Sequence, residues 1–113
     1  MLYFDFEAGN QAYKLRLNTR NIVMLEKSLG VNPLGIFGDG DTIPTITQMV
    51  AILHASLQQY QHGITLDKAY EIFDEWVENG HVITDFIPII VEIYKSSGII
   101  KDSTPTEEVN EKN

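Results

Sequence analysis

The sequence predicts an α+β fold, predominantly helical, with an N-terminal β-hairpin, about four α-helices and a disordered C-terminal tail. Three observations carry this. Apolar and polar residues alternate from Leu2 to Leu17 around a Gly-Asn turn. Apolar residues then recur at helical spacing in four segments, each bounded by capping or breaking residues. From Lys101 onward Val109 is the one apolar side chain. The expected organisation is a single globular domain over residues 1–100 and a disordered acidic tail over 101–113, too polar to offset its ordering entropy.

The hairpin comes first. Leu2, Phe4 and Phe6 alternate with Tyr3, Asp5 and Glu7, and Tyr13, Leu15 and Leu17 alternate with Lys14 and Arg16. A tight turn on Gly9-Asn10, where either residue tolerates positive φ, sets the register. It places Phe6 opposite Tyr13, Phe4 opposite Leu15 and Leu2 opposite Leu17 on one face, and Asp5 opposite Lys14 on the other.

The period then changes. Asn18 or Thr19 caps a first helix through Ile22, Leu25 and Leu29, and Gly30 ends it. Asn32-Pro33 confirms the break. Residues Val31 to Ile43 read as a long loop with a flexible "GDGD" centre and apolar Leu34, Ile36 and Phe37. "TITQ" at Thr45–Gln48 matches a capping box. The second helix follows with Ile46, Met49, Val50, Leu53, Leu57 and Tyr60 in one stripe, and Gly63 ends it. Thr65 caps a third helix with Asp67 in its first turn. Its expected stripe is Leu66, Ala69, Tyr70, Phe73 and Val77, with Glu71, Glu75 and Glu78 on another face, and Asn79-Gly80 closes it. The fourth helix starts at Thr84 or Asp85 and runs to Gly98, with Pro88 in its first turn. Phe86, Ile89, Ile90 and Ile93 make one stripe and Ile87, Val91 and Tyr94 a second. The apolar arc spans roughly 200°, against about 100° for an ordinary amphipathic helix, so this helix is either central in the core or shared with a partner.

Composition narrows the function. The 113 residues carry a net charge of −8, from 8 basic and 16 acidic side chains. A duplex-binding surface needs clustered cations to displace counterions, so neither nucleic acid nor an anionic membrane is an expected partner. The chain has no cysteine, which excludes disulfides and thiolate chemistry. The N-terminus lacks the pattern of a secretion signal, and no run approaches the roughly 18 apolar residues of a membrane span. A cytosolic location is expected.

"DGD" at 39–41 begins like a calcium loop, but Ile43 stands where a third oxygen ligand is needed and Val50 where the bidentate Glu belongs. His54 and His62 point about 80° apart on a helix and make no zinc pair. His81 stands alone in a loop. The glutamates of helix three read as a solvated face. No serine lies in a nucleophile-elbow context and no glycine-rich stretch has a phosphate-loop setting. The expectation is a non-enzymatic protein without a catalytic site, cofactor or metal.

Three motifs carry a resemblance. Leu15-Arg16-Leu17 on a strand, Leu25-Glu26-Lys27-Ser28-Leu29-Gly30 ending a helix, and Asn32-Pro33-Leu34 after it are followed by "PTITQMVAILHASLQ". Over roughly residues 12–98 this resembles the tail assembly chaperones of long-tailed, siphovirus-type phages and prophages of Gram-positive bacteria. The likeness lies in core and loop residues rather than in a catalytic signature. It implies a non-enzymatic chaperone that binds the tape-measure protein and helps recruit tail-tube subunits, acting in the host cytoplasm and absent from the mature virion. The alternative is a structural tail or connector subunit retained in the virion. The resemblance also implies a short form ending near a slippery site. Glu111-Lys112-Asn113 is encodable as GAA AAA AAC, which contains such a heptamer, and a frameshifted longer product is then expected.

A chaperone needs apolar surface for its client. The residues expected to supply it are Leu34, Ile36 and Phe37 on the loop and Ile87, Val91 and Tyr94 on helix four. A competing reading, preferred for Phe37, folds the loop residues back over the helices. A homo-oligomer is also expected, through the open edges of the hairpin or through helix four.

Overall fold

The computed structural model describes residues 2–38 and 40–102. The strands β1 (Phe4–Ala8) and β2 (Gln11–Leu15) pair antiparallel, with Phe4 opposite Leu15, Asp5 opposite Lys14 and Phe6 opposite Tyr13. Gly9 takes φ 63° in the two-residue turn, while no non-glycine residue among those described has positive φ. One positive φ at the first turn position is the pattern of a type II′ turn. The ladder stops at Phe4–Leu15, so the expected Leu2–Leu17 pair does not form. The chain leaves the hairpin there because the helices claim its donors. Arg16 N–H donates to Ser56 O (2.9 Å) and Leu17 N–H to Ser97 Oγ (2.8 Å). Leu2 is left 65% exposed.

Four α-helices follow: α1 (Thr19–Leu29), α2 (Ile46–Leu57), α3 (Leu66–Glu78) and α4 (Phe86–Ser96). Their starts are set by short side chains. Asn18 Oδ1 accepts from Asn21 N–H at 2.8 Å, and Thr65 Oγ1 accepts from Lys68 N–H at 3.1 Å. Thr45 and Gln48 form the full reciprocal box, at 3.1 Å and 2.8 Å. α1 stops at Gly30, whose φ of 76° lets its N–H reach Glu26 O at 2.8 Å. A short 3-10 helix (Ile83–Asp85) leads into α4, and Asp85 Oδ2 accepts from Val82 N–H at 3.1 Å.

The stretch expected as a loop contains an element. Pro33–Phe37 is a 3-10 helix, with Asn32 Oδ1 accepting from Leu34 and Gly35 N–H at 2.9 and 3.0 Å. The residues that look like a helix breaker therefore nucleate a tighter helix, with Pro at its first position, where no donor is lost. Asp39, in the "GDGD" segment, and the tail from 103 onward lie outside the described residues.

α2 is the centre of the molecule and packs against α1, α3, α4 and β2. Its Met49, Val50, Ile52, Leu53, Ala55, Ser56 and Leu57 are buried. α4, expected as the central or shared helix, buries Phe86, Ile90, Ile93 and Tyr94 and leaves Ile87, Ile89 and Val91 partly covered. α3 differs from expectation. It buries Ala69, Ile72, Phe73 and Trp76, whereas Leu66 and Tyr70 are exposed. The buried stripe is rotated about 70° from the expected one, at 100° per residue. Trp76 sets the rotation: its ring lies 5.8 Å from Phe6, 5.6 Å from Phe73 and 5.6 Å from Phe86. This aromatic cluster joins β1, α3 and α4, and such rings dominate core energetics by their area.

Candidate functional site

The six residues expected at a partner interface separate. Ile36 and Tyr94 are core residues and cannot serve as docking surface, which corrects that expectation. Tyr94 O–H donates to Pro33 O at 2.8 Å, locking the 3-10 helix onto α4. A buried phenol needs such an acceptor, and Pro33 is fixed close by. Burial pushes the Tyr94 hydroxyl well above the ordinary phenol range. Phe37 is partly buried and meets Tyr94 edge to face at 6.5 Å, so it does fold back over the helices. Leu34 remains 46% exposed. Ile87 and Val91 are partly buried on the flank of α4. Only Leu34 thus offers a freely exposed apolar side chain among the six.

A concave surface with an exposed apolar wall lies elsewhere. Ser28 of α1, Thr47, Ala51 and His54 of α2, and Leu66 and Tyr70 of α3 line an open groove of about 340 Å³. Leu66 is 45% and Tyr70 41% exposed, so the groove keeps an apolar wall in contact with solvent. Two of its polar side chains, His54 and Ser28, are held by the fold. His54 Nε2 faces Ile64 O at 3.0 Å, a carbonyl that only accepts, so that nitrogen carries the proton. Ser28 Oγ donates to Met24 O at 3.3 Å. Asp67 and Glu71 are exposed on α3 beside Leu66 and Tyr70, and give that wall an acidic flank. The groove is shaped for one face of an apolar or amphipathic segment. The signal that could have found it is the acidic arc of α3: Glu71, Asp74 and Glu78 lie opposite the buried stripe, and so place Leu66 and Tyr70 at its margin.

A second groove, of about 330 Å³, follows β1. Residues Phe4 to Glu7 form one side, and Trp76, His81 and Ile89 the other. The His81 ring stacks on Trp76, with centroids 4.6 Å apart and planes 7° apart. His81 Nδ1 also lies 3.9 Å from Asp85 Oδ2.

The buried Ser56 Oγ donates to Leu53 O and the partly buried Ser97 Oγ to Ile93 O. Among the described residues no three His, Asp or Glu side chains are grouped to hold a metal ion, and no helix is long and apolar enough to cross a membrane.

A family model whose description reads "Family of unknown function (DUF6096)" matches residues 5–110. No curated protein and no solved structure matches the chain.

Proposed function

We propose a function for a chain that belongs to the DUF6096 family: a non-enzymatic phage tail assembly chaperone that binds the tape-measure protein and helps recruit tail-tube subunits. The observation that carries this reading is the open groove between α2 and α3. Its exposed Leu66 and Tyr70 form an apolar wall flanked by the acids Asp67 and Glu71. A tape-measure protein is a long helical client, and a groove of this kind takes the apolar face of a helix through side chains at i, i+3, i+4 and i+7. The motifs at Leu15–Leu17, Leu25–Gly30 and Asn32–Leu34 support the family resemblance. The net charge of −8 keeps a protein with such a surface soluble. The protein acts in the bacterial cytoplasm and leaves the particle when the tail is complete.

The test is co-expression with the tape-measure protein encoded beside its gene. The pair should co-purify, Leu66→Asp with Tyr70→Asp should abolish this while the far-ultraviolet spectrum is unchanged, and purified virions should lack the chain. Failure to co-purify, or retention in the virion at stoichiometric levels, would overturn the reading; the second outcome would favour a structural tail or connector subunit.

A further inference from the structure

The two edges of the hairpin are not equivalent. On β2 the outward main-chain groups of Lys14 are taken. Gln61 Oε1 accepts from Lys14 N–H at 2.8 Å, and Gln61 Nε2 donates to Lys14 O at 2.9 Å. The side-chain amide thus occupies the place of a neighbouring strand. Arg16 N–H, the next outward donor, goes to Ser56 O. Because Lys14 points its main-chain groups away from β1, its partner Asp5 points them away from β2, and alternation makes Glu7 do the same. Among the described residues, no backbone hydrogen bond beyond the hairpin ladder reaches Asp5 or Glu7. The unpaired edge of β1 therefore opens into the groove whose far wall is Trp76, His81 and Ile89.

We propose that this edge binds an extended, alternating basic and apolar segment of a partner protein, which adds to the hairpin as a third strand. This does not rest on the chaperone reading. Two donors and two acceptors of Asp5 and Glu7 supply the pairing, which is the usual source of affinity in strand addition. The alternation follows from the register. Residues opposite Asp5 and Glu7 fall beside these two carboxylates on the outer face and are Lys or Arg. The residue between them falls on the side of Phe6 and enters the groove against Trp76 and Ile89, where it is apolar. Charge also excludes a second copy as the occupant. Its own β1 would bring Asp5 and Glu7 onto the same acids, and on its β2 edge Gln61 and Ser56 already hold Lys14 and the Arg16 N–H.

The test uses the full chain and a fluorescein-labelled peptide of alternating Lys and Val, read by fluorescence anisotropy. The peptide should bind, and the same peptide with its alternate amides N-methylated should not. Glu7→Lys faces Ala12 across the ladder and leaves the fold undisturbed by circular dichroism. It should weaken binding about tenfold, since it turns an opposite-charge cross-strand pair into a like-charge one. Glu26→Lys on α1 makes the same change in net charge and should leave binding unaltered. The proposal is overturned by an absence of binding, by full binding of the methylated peptide, or by equal losses in the two variants. Self-association of the free chain that Glu7→Lys abolishes would also overturn it, by showing that a second copy takes the edge.

Discussion

Tyr94 and Asn21 show how single side chains govern this fold in opposite senses. Tyr94 is buried and its hydroxyl is satisfied by Pro33 O. Tyr94→Phe leaves that carbonyl without its donor and should cost about 1–2 kcal/mol in denaturant unfolding. The pH dependence has a definite sign. The folded state holds the phenol's pKa above its unfolded value of about 10, so its contribution is complete below that pH and is lost as the pH rises beyond it. Stability measured from neutral to strongly alkaline pH should therefore fall more steeply in the parent protein than in Tyr94→Phe; parallel curves would contradict this. Asn21 is the converse. It sits on the buried face of α1 beside Leu25, and its Oδ1 has no hydrogen-bond partner. Asn21→Leu removes an unsatisfied acceptor and adds apolar contact, and should raise stability by about 1 kcal/mol. A decrease would show that the pocket around Asn21 is too tight for a branched side chain.

At the scale of elements, the local code was legible and the rotations were not. The hairpin register followed from Gly9-Asn10 and the alternation, because a two-residue turn permits few registers. The caps at Asn18, Thr45 and Thr65 were legible because capping is satisfied within three residues. The face of α3 was not. Leu66, Tyr70 and Val77 make as good a stripe as Ile72 and Trp76, and only the fit of Trp76 among Phe6, Phe73 and Phe86 decides between them. The 3-10 helix at Pro33–Phe37 is not legible because Asn-Pro reads as a break, and Tyr94, 61 positions away, holds it in place. The candidate site suffered accordingly. Ile36 and Tyr94 read as spare apolar residues because the element that joins them is invisible in the sequence, and Leu66 and Tyr70 read as part of the apolar stripe of α3. Gln61 was equally unreadable, since its contact with Lys14 spans 47 positions. Gln61→Ala should therefore cost about 1 kcal/mol by exchanging two protein hydrogen bonds of exposed Lys14 for water, and should speed exchange of the Lys14 amide more than that of Tyr13. Equal acceleration at both would mean that the hairpin frays as a whole and that Gln61 is not its edge cap.

At the scale of the whole molecule, the hairpin is a structural part of the helical body rather than an appendage. An isolated two-stranded hairpin is marginal in water, so this one persists through what it is tied to. Four ties link it to distant helices and the turns that end them: Lys14 to Gln61, Arg16 to Ser56, Leu17 to Ser97, and Gly9 O to Asn79 Nδ2 at 3.3 Å. Phe6, Leu15 and Leu17 share one core with Ile52 and Leu53 of α2, Trp76 of α3 and Ile93 of α4. The dependence is mutual, since without Phe6 the Trp76, Phe73 and Phe86 rings lose one wall of their cluster. Unfolding should therefore be a single transition. Trp76 is the one tryptophan and lies where hairpin and helices meet, so its fluorescence reports that junction, while circular dichroism reports the helices. The two denaturation curves should coincide. Phe6→Ala should shift both together by about 3–5 kcal/mol, a large part of the roughly 5–15 kcal/mol available to a domain. If the fluorescence change precedes the loss of helix, or if Phe6→Ala moves one curve and not the other, then the helices stand without the hairpin. The open edge of β1 would then belong to a detachable strand pair instead of a rigid ledge on the core.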